Sequence, residues 1–119
     1  MILTMPKKIE SQNVYNSWHW SRRAGNGKRS EKINWYWSIL SACGRGKRKP
    51  YFEVFIVSFR KRLLDNGNFI GGCKPLIDAI VDAKLLKNDD VKSCKIHYRQ
   101  FRKIREEKTV IYFPEKEFE

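Results

Sequence analysis

Every aspartate of the chain lies between positions 65 and 90: Asp65, Asp78, Asp82, Asp89 and Asp90. Three basic residues share that window (Lys74, Lys84 and Lys87), which leaves it at −2; the remainder sets 22 basic residues against 8 glutamates and carries +14. Carboxylates brought together from separate segments repel one another unless a cation joins them, and hard divalent ions take carboxylate oxygen. An acidic island in a basic protein therefore has two readings. One is a helix with solvated acids followed by an acidic turn. The other is a metal cluster that a basic surface presents to phosphates, where held ions activate water and neutralise charge at phosphorus. Composition by itself favours the first.

Apolar spacing predicts the elements that would carry these residues. Residues 51–60 are aromatic and β-branched almost without a break, which predicts a central buried strand. That strand empties toward Asp65, and functional side chains commonly sit where a central strand gives way to a loop. Gly67, Gly71 and Gly72 predict a loop over 65–73. Pro75 opens a helix over 75–86. Leu76, Ile77, Ile80 and Ala83 line one side of it, while Lys74, Asp78 and Asp82, spaced by four, share another. Asn88, Asp89 and Asp90 form a turn. Residues 92–101 alternate, with Cys94, Ile96 and Tyr98 on one face and Lys95, His97 and Arg99 on the other, so His97 reads as a surface strand residue. A last strand covers 108–113, joined to the previous one by a hairpin connection over 102–107. Upstream, 1–5 form a short strand. A helix over 31–43 follows from Ile33, Tyr36, Trp37, Leu40 and Cys43, with Ser30 as its cap and Gly44 at its end. Trp35, Tyr36 and Trp37 can stack on bases, but the spacing assigns Tyr36 and Trp37 to the core first.

A net charge of +12 and a pI near 9.9 draw the protein to polyanions with salt-sensitive affinity. No basic amphipathic helix with a clean apolar face is visible, so nucleic acid is a better partner than a membrane. Two basic stretches stand out. Residues 6–30 are irregular and include Arg22, Arg23, Lys28 and Arg29. The loop 44–50 carries Arg45, Lys47 and Arg48, and reads equally as a soluble connector or as a grip on a phosphate backbone. The run from Gly25 to Ser30 is not a nucleotide-binding phosphate loop, because Arg22 stands where its first glycine should be. The length suits a single domain over 1–119. No apolar run approaches the ~18 residues of a membrane span, and no secretory signal is visible at the start, so a cytoplasmic location is expected. Cys43, Cys73 and Cys94 fit no disulfide framework and read as free thiols.

The run Leu63-Leu64-Asp65-Asn66-Gly67-Asn68, then Gly71-Gly72-Cys73-Lys74-Pro75-Leu76-Ile77-Asp78, then Asn88-Asp89-Asp90-Val91, resembles the RusA family of Holliday-junction resolvases, which is common in prophages. That family's signature looks like D-x-D-N, a short glycine-bearing stretch, a lysine four residues before a helix aspartate, and a D-D pair before a strand. Ser11-Gln12-Asn13 with Trp18, Trp20 and Arg22 is similar, more weakly, to its early S-x-N and W-x-x-R region. The resemblance implies a compact α/β (α+β) fold, a small mixed sheet of about four strands packed with two main helices. It also implies a homodimer and Mg2+- or Mn2+-dependent cleavage of four-way or otherwise branched DNA. By position it makes Asp65, Lys74, Asp78 and Asp90 catalytic, Asp65, Asp89 and Asp90 metal ligands, and Asn13 and Asn68 DNA-binding; the excess positive charge adds Arg22, Arg23, Lys28, Arg29, Arg45, Lys47 and Arg48 as expected DNA contacts. The chain departs from the signature at Gly67, where the family has its second aspartate. A lost carboxylate weakens a magnesium site, so a weakened or inactive DNA-binding module of the same fold is the alternative.

Overall fold

The computed structural model describes residues 1–11, 26–44, 50–86, 94–103 and 105–114, with 26–30 described in their backbone. Strands β1 (Ile2–Met5), β2 (Glu53–Arg60), β3 (Lys95–Arg102) and β4 (Lys108–Tyr112) make one sheet in the order β1-β4-β2-β3. The described helices are α1 (Asn26–Cys43), α2 (Asn66–Gly72) and α3 (Lys74–Asp82). β2 pairs parallel with β3 and antiparallel with β4, which also pairs antiparallel with β1. The sheet is therefore mixed, and α1 and α3 are its two main helices, an α+β fold of the class expected. No described helix is long and apolar enough to cross a membrane.

β2 is central, as its apolar run predicts, but its burial alternates. Val54, Ile56, Ser58 and Arg60 face the core, while Glu53, Phe55, Val57 and Phe59 are half-buried on the other face. β3 and β4 form no hairpin. They flank β2 on opposite sides, and the connection crosses the end of β2, where Lys103 N donates to Arg60 O (2.8 Å). The strand with the longest apolar run takes both partners, and the basic β3 is left at an edge, where charge discourages further pairing.

α1 starts at Asn26, so Ser30 lies inside it rather than at its cap; tertiary packing outranks a cap signal. Gly44 ends it as expected, at φ +77° with its N–H on Leu40 O (2.7 Å). The buried stripe is Glu31, Trp35 and Ile39, whereas Ile33 and Trp37 are 47% and 52% exposed. Apolar residues surround this helix, so periodicity could not choose its face. Lys7 meets the buried stripe from outside, bonded to Glu31 (2.9 Å) and set 4.5 Å above the Trp35 ring.

The predicted loop over 65–73 is largely the helix α2. Pro75 explains why α2 and α3 are two helices: it lacks an N–H, and its ring would clash with the carbonyl four residues back. α3 ends at Asp82, short of the predicted 86, in a Schellman turn. Lys84 N bonds Val81 O (3.0 Å) and Leu85 N bonds Ile80 O (3.2 Å), which seals the buried Leu85 against the core. The turn needs a left-handed residue, and Lys84 supplies it at φ +63°, where a lysine costs about 1 kcal/mol relative to glycine.

Candidate metal and phosphate site

Asp65 stands where the chain leaves β2 and enters α2, with extended backbone (φ −65°, ψ 156°). Its carbonyl accepts from Phe69 N (3.0 Å), starting the helix. Its exposed carboxylate does not cap that helix; Oδ1 instead accepts a hydrogen bond from Asn68 Nδ2. Asn68 thus orients the acid one turn before it.

The approach to Asp65 is fastened at two points. Gln100 on β3 clasps Leu64 through both backbone groups, accepting from its N–H (3.0 Å) and donating to its carbonyl (2.6 Å). Arg60, buried at the end of β2, donates to Ile9 O (2.7 Å) and Arg62 O (2.8 Å). Burial pulls its guanidinium below the ordinary arginine range, and Glu107 and Glu10 oppose the shift. Cys73, between α2 and α3, is fully buried, and desolvation pushes its thiol well up, so it is a packing residue and no nucleophile. All three cysteines are free.

On α3, Lys74 Nζ meets Asp78 Oδ1 at 3.1 Å one turn on, both side chains partly exposed, while Leu76, Ile77 and Ile80 are buried on the opposite flank. Asp82, the next member of that stripe, bonds Lys32 of α1 (2.8 Å). The acids therefore stand in pairs: Asp65 with Asn68, Asp78 with Lys74, Asp82 with Lys32. Among the described residues no three acids, histidines or cysteines gather as a ready metal cluster. The donor chemistry at Asp65 nevertheless suits magnesium or manganese, since it is hard carboxylate oxygen in solvent. Gly67 lies beside it: a Cβ on Gly67 would be 3.6 Å from Asp65 Oδ2, so a carboxylate there would share the site.

Asp89 and Asp90 lie outside the described residues, but their flanks do not. Leu86 bridges to Tyr51, and Lys95 N donates to Phe52 O (2.8 Å), both near the amino end of β2. Asp65 follows its carboxyl end, eight strand residues away, or roughly 25 Å. Acids from both segments reach one ion only if their loops fold back along the strand or a second copy supplies one of them. Asn13, Arg22, Arg23, Arg45, Lys47 and Arg48 also lie outside the described residues, and Lys28 and Arg29 fall on the first turns of α1. His97 bonds Glu53 (2.6 Å) and stacks on Phe55 (4.1 Å between centroids), as part of the sheet's open face.

Sequence reasoning missed Arg60, Gln100 and the exposure of Trp37. Arg60 was within reach: it shares the two-residue period of Val54, Ile56 and Ser58, and an inward arginine needs partners. Compared with known proteins, the chain matches no family model and no curated sequence.

Proposed function

We propose that the protein is a metal-dependent endonuclease of the RusA-like type, resolving Holliday junctions or other branched DNA in the cytoplasm as a homodimer. The observation that carries this reading is the exposed Asp65 carboxylate, held by Asn68 at the strand-to-helix junction where the resemblance puts a metal ligand. With Asp89 and Asp90 as co-ligands, a bound Mg2+ or Mn2+ would supply charge neutralisation at phosphorus and a more acidic water. Lys74, steadied by Asp78, offsets the anionic charge that develops on the phosphate. The +12 charge brings the polyanion to it.

Purified protein with magnesium or manganese is expected to cut a synthetic four-way junction, and chelation to stop it. Asp65→Asn and Asp90→Asn should each lower the rate by about 100-fold or more, the scale of losing an electrostatic catalytic group. Equal cutting by wild type and both variants would sink the assignment. Partial rescue on mixing the two variants would mean that each copy lends an acid to the other's site.

A second reading has its own support in Gly67 and in the length of β2 between Asp65 and the flanks of Asp89 and Asp90. A module that kept the fold and lost the reaction would shift the junction on a gel without cutting it.

The open sheet face supports the homodimer. Helices cover the other face, and here Ile2, Phe101 and Tyr112 are 65%, 51% and 41% exposed around Phe55, Val57 and Phe59. Exposed apolar area is a feature that protein interfaces share. Sedimentation equilibrium is expected to give a dimer, and Phe101→Glu a folded monomer; a variant that dimerises unchanged would move the interface elsewhere.

A further inference from the structure

Trp37 and Ile33, both half-exposed on α1, do not belong to the metal site. With Tyr36, Lys32, Asp82 and Lys84 they line an open groove of about 470 Å³ between α1 and the end of α3. That volume is within the range that holds small organic groups. Tyr36 meets Trp37 edge-to-face, with ring centroids 5.7 Å apart at 81°, and so steadies the indole. Lys32 neutralises Asp82 across the groove. Lys84 is exposed at the rim and makes no ion pair among the described residues, which leaves the lining with one net positive charge.

Lys84 adds an independent argument. Its left-handed position belongs to glycine, yet the chain places a lysine there at a cost in stability. Non-glycine residues held in that conformation cluster where function needs them. Here the result is a cation in the same groove as an indole and an isoleucine. An apolar wall with an aromatic ring beside a cation fits a base and its phosphate. It suits an apolar peptide less, because such a peptide has no use for the lysine.

We propose that this groove holds one unpaired nucleotide of the DNA, its base against Trp37 and Ile33 and its phosphate on Lys84. The proposal rests on the branched-DNA reading and deepens it. Asp82 is one turn beyond Asp78 on α3, about 6 Å, so the groove continues the stripe of Lys74 and Asp78. A branch point held open by the protein, or one that carries a flap, offers unpaired bases that linear duplex lacks.

The test is fluorescence anisotropy with a labelled short oligothymidylate and a labelled linear duplex, both in chelator so that nothing is cut. Trp37→Ala is expected to weaken single-strand binding about tenfold, as losing one stacked base does, and to leave duplex binding within about twofold, since duplex affinity is carried by phosphate contacts. Trp37→Phe should restore most of the loss. Lys84→Gly should raise Tm while weakening the single strand a few-fold. Equal effects of Trp37→Ala on both DNAs, no effect on either, or a more stable Lys84→Gly protein that binds single strands as before would overturn the groove assignment. Junction cutting is a separate readout: a protein that never cuts but binds single strands through Trp37 loses the nuclease reading and keeps the groove.

Discussion

Replacing Gly72 by alanine is expected to destabilise the protein by about 3 kcal/mol or more, at the upper end of overpacking costs. The new Cβ would lie 1.9 Å from the carbonyl oxygen of Glu10 and 3.1 Å from its carbonyl carbon. Both are backbone atoms, so no side-chain rotation relieves the overlap. Either the segment around Glu10 lifts or α2 tilts. Lifting draws Ile9, fully buried, toward water, at about 1.5–3 kcal/mol for a complete loss of burial. It also strains the bond from Arg60 to the Ile9 carbonyl, and hydrogen bonds to charged groups are worth about 1.5–3 kcal/mol. For a domain of this size the expected fall in Tm is roughly 10–20 °C. Gly67→Ala is the control. Its Cβ meets nothing closer than 3.6 Å, and φ there is not positive, so it should gain up to about 1 kcal/mol in helix propensity. A Gly72→Ala protein that melts within a degree or two of wild type would mean that the amino-terminal segment does not lie over α2.

Gly67→Asp is expected to act in the opposite sense, on function. The new carboxylate arises beside Asp65 Oδ2 in the first turn of α2. Without a cation the two acids repel by about 1 kcal/mol in solvent, partly offset by a negative charge near a helix start. With magnesium or manganese the pair becomes a chelate. Junction cutting should rise by about tenfold or more, since one added ligand both tightens and positions the ion. Stability gives a readout free of activity. A cation at a hundred times its Kd adds about 2.7 kcal/mol, so the variant should gain several degrees of Tm from magnesium where wild type gains less. No magnesium-dependent gain in either measurement would show that Gly67 is not the missing ligand position.

The parts of the fold that were legible in the sequence are those with one dominant cause. The run at 51–60 reads as a strand because aromatic and β-branched residues dominate it. Gly44 could end α1 because a positive φ admits glycine readily. The face of α1 was not legible: Ile33, Trp35, Tyr36, Trp37 and Ile39 offer more than one stripe, and packing against the core, which buries Trp35 and Ile39, selects among them. The three glycines of 65–73 misled for a related reason. Glycine weakens a helix by about 1 kcal/mol per residue, but Phe69 and Gly72 pack into the core and over-ride that loss. For the candidate site, residue types singled out Asp65, Lys74 and Asp78. The pairing of Asp65 with Asn68 is local, three residues apart, but the clasp of Gln100 on Leu64 depends on which strand neighbours β2, and local spacing carries no trace of that.

The sheet order has a consequence for how the chain is made. β4 lies between β1 and β2, so β1 has no neighbour in this sheet until β4 emerges. The unit from β2 through α2 and α3 to β3 is consecutive and can assemble earlier. Leu3 and Ile9, buried in the finished molecule, wait in solvent meanwhile, for several seconds at a ribosomal pace of roughly 5–20 residues per second. The closing event is the docking of β4, after which the Met1 amino group bonds Phe113 O (3.0 Å) and the two distant segments are latched together. Ribosome-bound chains that stop short of β4 would therefore expose the apolar edge of a half-built sheet, which makes the interval before that last insertion the one in which a chaperone has most to shield.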